Sequence, residues 1–325
     1  MDTSLITTRF DASSTASDVI VGVDLRGQHA IVTGGSSGIG AETALALTIA
    51  GAAVTLAVRN IAAGTDVANR IAAATGRPAP QVRALDLADP ADVATFVGRW
   101  ASPLDILVNN AGLVTRGLER TPQGWELQFA TNHLGHFALT VGLRPYLAAA
   151  AVLRRGARIV VLSSTAHMRA PVDFDDLHFE RRAYDPQVAY AQSKTANSLL
   201  AVEATKRWRA DGIVANAVNP GGVATGLQRH FSSTQRESLA AAEIAGVFSW
   251  KTVGQGAATS LVAAVAPEFE GVGGRYLDDC REAYPVPDDA TLAQHPHGVK
   301  QWALDPTAAD RLWRVCLDLT APANR

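Results

Sequence analysis

Apolar residues run along this chain in two rhythms. Short continuous runs at His29–Thr33, Ala53–Val58, Val82–Leu85, Ile106–Asn109, Arg158–Ser163, Ile213–Val218 and Gly274–Leu277 have the length of buried strands. Between them, Gly38–Ala50, Ile61–Ala74, Ala91–Trp100, Gly124–Thr140, Val188–Ala210 and Gln255–Ala266 carry helical periodicity. The ends add a lead-in helix over Ala16–Val23, capped by Ser17 or Asp18, and, after a polar loop, a helix near Thr307–Leu317. Strands without polar alternation, separated by helices, predict a parallel sheet covered on both faces. Right-handed crossovers then wind it into a doubly wound α/β sheet of Rossmann type, whose ligands bind beyond the carboxyl ends of the strands.

Composition narrows the classes. The 325 residues hold 29 basic and 31 acidic side chains, so neither a nucleic-acid stripe nor a charged tail is present. The polar N-terminus lacks the make-up of a secretory signal, and no uninterrupted apolar run reaches the ~18 residues of a span. Cys280 and Cys316 cannot form a disulfide framework. The expectation is a cytoplasmic protein with reduced thiols, no membrane anchor and no nucleic-acid partner.

After the first strand comes Thr33-Gly-Gly-Ser-Ser-Gly-Ile-Gly40. Gly34, Gly38 and Gly40 allow a tight turn, and the segment with Ser36, Ser37 and Ile39 presents a helix N-terminus to an anion such as a pyrophosphate. A dinucleotide site expects an acid about 20 residues on to bond the ribose. Here 59 − 40 = 19 residues lead to Arg59, followed by Asn60. A guanidinium attracts a 2′-phosphate that a carboxylate would repel, which favours NADP(H) over NAD(H).

Tyr190 and Lys194 lie four apart, on one face of a helix, downstream of the serine pair Ser163-Ser164. Carbonyl reduction needs a proton donor at oxygen, and the reverse reaction needs a base there. Tyr190 fits as general acid/base, with the Lys194 ammonium and a nicotinium charge expected to lower its pKa by ~2–3 units. A serine hydroxyl would hold the substrate oxygen, and Lys194 would also bond the nicotinamide ribose.

With Thr33–Gly40, Asp86-Leu87, Asn109-Asn-Ala-Gly112, Asn132 in Thr-Asn-His-Leu-Gly-His-Phe, Ser163-Ser164, Tyr190/Lys194 and Asn219-Pro-Gly221 with Thr225, the sequence resembles the short-chain dehydrogenase/reductase family over about residues 24–280. Ala-Val-Arg-Asn60, Ser-Thr-Ala-His167, the C-terminal Leu-Trp and the 26-residue gap (190 − 164) are similar to its retinol dehydrogenase/WW-domain oxidoreductase-like branch.

The resemblance implies one Rossmann-fold domain over 1–325, with a seven-stranded parallel sheet in order 3-2-1-4-5-6-7. Residues 1–24 form an N-terminal extension, 223–250 a substrate lid carrying Phe231, Phe248 and Trp250, and 281–325 a C-terminal extension. It makes Ser164, second of its pair, the catalytic serine and has Asn132 anchor a water beside Lys194. Asp86 and Leu87 would face the adenine, Asn110, Ala111 and Gly112 the adenine-ribose side, and Pro220, Gly221, Val223 and Thr225 the nicotinamide carboxamide.

It also implies a homodimer or homotetramer built on the helices of Asn132 and Tyr190, where Leu199, Leu200 and Val202 suit either a subunit contact or a core. The activity implied is an NADP(H)-dependent oxidoreductase acting on a carbonyl or secondary-alcohol small molecule. An idle NADP(H)-binding sensor or scaffold, or a reductase of a C=C bond, stands as the alternative. His133, His136 and His167 read as structural histidines rather than metal ligands. The group Asp173, Asp175, Asp176 and Glu180 reads as a solvated loop.

Overall fold

In the computed structural model, residues 4–154, 156–224 and 249–321 are described, together with 237, 240, 241, 243 and 244. Seven parallel strands, β1 (His29–Thr33), β2 (Ala53–Val58), β3 (Gln81–Ala84), β4 (Ile106–Asn109), β5 (Ala157–Leu162), β6 (Ile213–Asn219) and β7 (Tyr276–Asp278), form one sheet. Their order is β3-β2-β1-β4-β5-β6-β7, as expected. The polar loop expected next instead holds an eighth strand, β8 (Arg281–Glu282), antiparallel to β7, and a parallel pair, Tyr284–Val286 with Gly298–Lys300. The amide of Glu282 donates to the Ile6 carbonyl at 2.8 Å, and Thr8 Oγ1 donates to Cys280 O at 2.8 Å. The N-terminal extension thus covers an edge that would otherwise offer free backbone groups.

Alternation along the strands separates two cores. Ile31, Leu107, Ile159, Val161 and Ala217 face one side, where α4 (Pro90–Gly98), α5 (Gly135–Arg154), α6 (Pro186–Trp208) and α8 (Pro306–Thr320) pack. Val32, Val108, Val160, Leu162 and Val218 face the other, under α1 (Ala16–Val19), α2 (Gly38–Ile49), α3 (Ile61–Thr75) and α7 (Val253–Val265). Two helix ends depart from expectation. Thr15, not Ser17 or Asp18, caps α1, because Asp18 closes a capping box with it and the helix ends after one turn.

The helix expected to stop at Thr140 continues through Pro145 to Arg154. Leu143, Leu147 and Ala150 are fully buried on that extension, and such packing outweighs the proline's local cost of ~3 kcal/mol. By length and composition alone, Leu127–Arg154 could cross a membrane, although no single apolar run in the sequence indicates a span. Here it packs on the sheet and on α8.

Candidate active site

Every strand that carries a predicted motif ends on the same edge of the sheet. Thr33 closes β1, and its Oγ1 accepts the backbone N–H groups of Asn110 and Ala111 at 2.9 and 3.0 Å. Asn110 Nδ2 returns a bond to Thr33 O at 2.7 Å. A Cβ on Gly34 (φ +67°) would stand 2.9 Å from Ala111 Cα, and one on Gly40 only 2.4 Å from Asn110 Nδ2. These contacts demand glycine and lock the first loop to the loop after β4. Ser37, the N-cap of α2, makes no capping bond, so the first amides of that helix stay available.

A cleft of about 500 Å³ runs across this edge. It is lined by Gly34, Ser36, Ser37, Gly38, Ile39, Gly40, Arg59, Asn60, Asp86, Leu87, Asn110, Ala111, Gly112, Tyr190, Lys194 and Pro220, which the sequence had marked. Arg59 is exposed beyond β2, and among the described residues nothing pairs with its guanidinium. Asn60 caps α3 through the Ala63 amide, and Asp86 Oδ1 accepts the Ala88 amide.

Sequence reasoning missed Ala57, Val58, Leu85, Leu113, Thr131 and Leu162, which also line the cleft. For Leu113 and Thr131 the only signal was adjacency to Gly112 and Asn132. Thr131 Oγ1 is buried without a partner, as a wall that awaits a polar ligand would have it. The volume, the open helix N-terminus, the free guanidinium and this orphaned hydroxyl fit a phosphorylated dinucleotide.

Asn132, Ser164, Gly221 and Val223 are not in this lining, which takes in Ser163 beside Leu162. Gly221 (φ +76°) packs on the Lys251 side chain. Val223 is buried against Gly256 of α7, where a Cβ would come within 2.4 Å of it. Residues 222–223 and 250–251 pair as short parallel strands at the base of the expected lid. Thr225, Phe231 and Phe248 lie outside the described residues.

The catalytic candidates converge from three elements. Ser164 begins the turn Thr165–Arg169, its hydroxyl accepting the Ala166 amide at 3.1 Å and lowering the Tyr190 pKa in part. Ser163 is turned inward and donates to Lys194 O at 2.8 Å. Lys194 Nζ donates to Leu162 O at 2.9 Å and lies 5.5 Å from the Tyr190 ring centroid. Burial pushes Tyr190 up to about 12 and Lys194 down to about 8. In the protein alone desolvation outweighs the lowering by Ser164, whereas the expected drop also counts the nicotinium charge.

Asn132 lies in a π-turn, Ala130–Leu134, ahead of α5. Its amide clasps Leu113, Oδ1 accepting the Leu113 N–H at 2.8 Å and Nδ2 donating to its carbonyl at 3.0 Å. A Cβ on Gly112 would be 3.4 Å from Asn132 Oδ1 and 3.7 Å from Lys194 Nζ, so the two side chains flank that glycine. Gly135 is required just beyond, since a Cβ there would sit 2.1 Å from Leu87 O.

His136 spans the gap from Asn132 O (Nδ1, 2.9 Å) to Thr33 Oγ1 (Nε2, 2.8 Å). His167 Nδ1 bonds Ser164 O at 2.7 Å, and its Nε2 accepts the Lys300 amide. Burial depresses His136 to about 3 and His133 and His167 to about 4. Folded-state values below the unfolded ~6.5 mean that the unfolded chain takes up these protons first, so stability is full above pH 6.5 and falls below it. Denaturant unfolding at pH 5.5 should show roughly 1 kcal/mol lost per histidine relative to pH 8. Equal stability at the two pH values would refute neutral buried imidazoles.

One expectation on loops changes, and one left open on a helix face is narrowed. Asp176 is not solvated: its carboxylate gathers the amides of Glu180, Arg181 and Arg182. Gln192 fixes the same insertion to α6 through Leu177 O and the Asp173 amide. Leu199 and Leu200 are buried within the chain's own core, on the face that holds α8. Asp278, Asp279 and His297 bring ligand atoms within 4.8 Å of one another, but Lys251 already neutralises Asp279 and Asn219 binds Asp278.

The model of the short chain dehydrogenase family matches residues 28–236. The chain belongs to this family. A "Probable oxidoreductase" of Streptomyces antibioticus is 49% identical over 91% of this chain and 98% of its own length. Retinol dehydrogenase 12 of Mus musculus is 36% identical over 91% and 87%. These likenesses place this short-chain dehydrogenase/reductase in the retinol dehydrogenase-like branch. A solved NADP active-site complex of RhlG from Pseudomonas aeruginosa matches with a TM-score of 0.61 and 27% identity, over 78% of this chain and 95% of that one. The chain is thus an oxidoreductase of a nicotinamide-using family that acts on small molecules.

Proposed function

We propose that this short-chain dehydrogenase/reductase interconverts a carbonyl and a secondary alcohol with NADP(H). The observation that carries the reading is a cleft with Tyr190 and Lys194 on its wall and, at its other end, Arg59, which has no partner among the described residues. Similar solved structures were obtained with NADP bound, which supports the phosphorylated cofactor.

When bound, the nicotinamide supplies or accepts the hydride. Arg59 holds the 2′-phosphate, and the α2 N-terminus with Ser36 and Ser37 receives the pyrophosphate. Ser164 donates to the substrate oxygen and holds it beside Tyr190. In reduction, Tyr190 passes its phenolic proton to that oxygen; its raised pKa keeps the proton in place until substrate arrives. Lys194 has three N–H groups, one spent on Leu162 O, which leaves donors for the ribose. Because Lys194 is charged only below about 8, the reduction rate should hold from pH 6 to 7.5 and decline above it.

A screen of aliphatic, aromatic and steroid-like carbonyls, followed by loss of NADPH absorbance, tests the assignment. Turnover of at least one carbonyl class is expected. NADPH binding with no turnover across the panel would favour the sensor or scaffold reading, and turnover confined to C=C bonds would favour the other alternative.

A further inference from the structure

We propose that Asn197 and His133 are positioning residues for Lys194, and that helix α8 is coupled to them through Cys316. The inference rests on the oxidoreductase reading only in what it says about rate. The geometry is independent of it.

Leu162 O, at the carboxyl end of β5, receives two donors: Lys194 Nζ at 2.9 Å and Asn197 Nδ2 at 2.9 Å. A carbonyl only accepts, so the Asn197 amide must turn its NH₂ towards it and its Oδ1 away. That oxygen meets His133 Nδ1 at 3.1 Å, which must therefore carry the imidazole proton. The bare Nε2 then accepts from the Cys316 thiol, 3.3 Å away. The chain has one direction throughout, from S–H to imidazole, to amide, to the carbonyl that holds the ammonium.

Asn197, His133 and Cys316 are all fully buried. Burial keeps His133 neutral near pH 7 and pushes the Cys316 thiol up, so no member changes charge. Helix α8 is itself anchored, Trp313 standing edge-on to Phe137 and Trp208 while Asp310 pairs with Arg207. The titratable groups facing Lys194 are Tyr190 on its own helix and His136 on the opposing one, and burial alone accounts for its lowered pKa. The carbonyl that holds the ammonium is shared with Asn197, so a change at Asn197 alters the hydrogen bond that favours the charged form.

The chain has four lysines, Lys194, Lys206, Lys251 and Lys300, so the ε-methylene of Lys194 can be followed by NMR in ¹³C-labelled protein and assigned with Lys194→Met. Asn197→Asp keeps the shape and puts a carboxylate beside the ammonium; the Lys194 midpoint should rise by at least about 0.5 pH unit. Cys316→Val removes the donor at similar volume. It should move the same midpoint and lower kcat about fivefold with KM little changed, and Cys316→Ser, which restores a donor, should return both towards wild type.

A packing role alone predicts lower melting temperatures with the Lys194 titration unmoved. That result in either folded variant, Asn197→Asp or Cys316→Val, overturns the proposal. Should Asn197→Asp not fold, the two Cys316 variants decide. Wild type that titrates as described but reduces no carbonyl would refute the proposed function and leave the positioning intact.

Discussion

Tyr190→Phe should lower kcat/KM for carbonyl reduction by about 10³-fold and leave NADPH affinity within roughly threefold of wild type. The substitution removes one oxygen from a ring that burial already fixes. The Ser164 hydroxyl keeps its capping bond from Ala166, so the turn Thr165–Arg169 is retained. What disappears is the proton donor at the substrate oxygen. Positioned acid–base groups contribute about 10²–10⁴-fold, and the expected loss lies within that range. The measurement is steady-state reduction of the best carbonyl from the screen, with cofactor binding followed by NADPH fluorescence. Activity within tenfold of wild type would remove Tyr190 from the mechanism and point to Ser164 or a water as the donor.

The same tyrosine shows how far the sequence could be read. Its spacing to Lys194, the glycine loop and the strand ends were legible because each depends on local backbone: a turn that only glycine permits, or a helix face with a four-residue repeat. All of β1 to β7 and the cleft's main lining followed from that. The direction of the tyrosine's pKa in the protein alone was not legible, since it depends on burial, which has no local signature.

The extension of α5 past Pro145 was hidden for a related reason. Propensity argues against it, and only contacts with the sheet and α4 outweigh that local preference. His133 and His136 looked like structural histidines and are buried ones, but each ties Asn132's turn to a different segment, Cys316 of α8 on one side and Thr33 on the other. Contacts over such separations, 183 and 103 residues, leave no mark on a sequence pattern. The serine choice came from the family pattern, which favours Ser164; in the structure Ser163 donates to Lys194 O while still bordering the cleft.

Arg59→Glu should reverse the cofactor preference. The ratio of kcat/KM with NADPH to that with NADH is expected to fall by about 30- to 10³-fold, mostly through KM for NADPH. Arg59 follows β2 on the cleft rim, exposed, with no carboxylate beside it among the described residues to absorb its charge. A phosphate dianion there gains attraction from the guanidinium and would lose it to repulsion from a carboxylate. Each effect in this water-accessible position is about 1–2 kcal/mol, and the two add to the expected ratio. NADH, which has a hydroxyl in place of the phosphate, can instead hydrogen-bond the new carboxylate, so its efficiency should hold or rise. Ionic strength separates this account from a loss of shape. If charge is responsible, raising salt from about 0.05 to about 0.5 M weakens NADPH binding to wild type and leaves NADH binding nearly unchanged, as screening over roughly 10 Å requires. Equal efficiency of the wild type with both cofactors, or an Arg59→Glu variant that loses both alike, would mean that this arginine only solvates the strand end and that NADP specificity lies elsewhere on the rim.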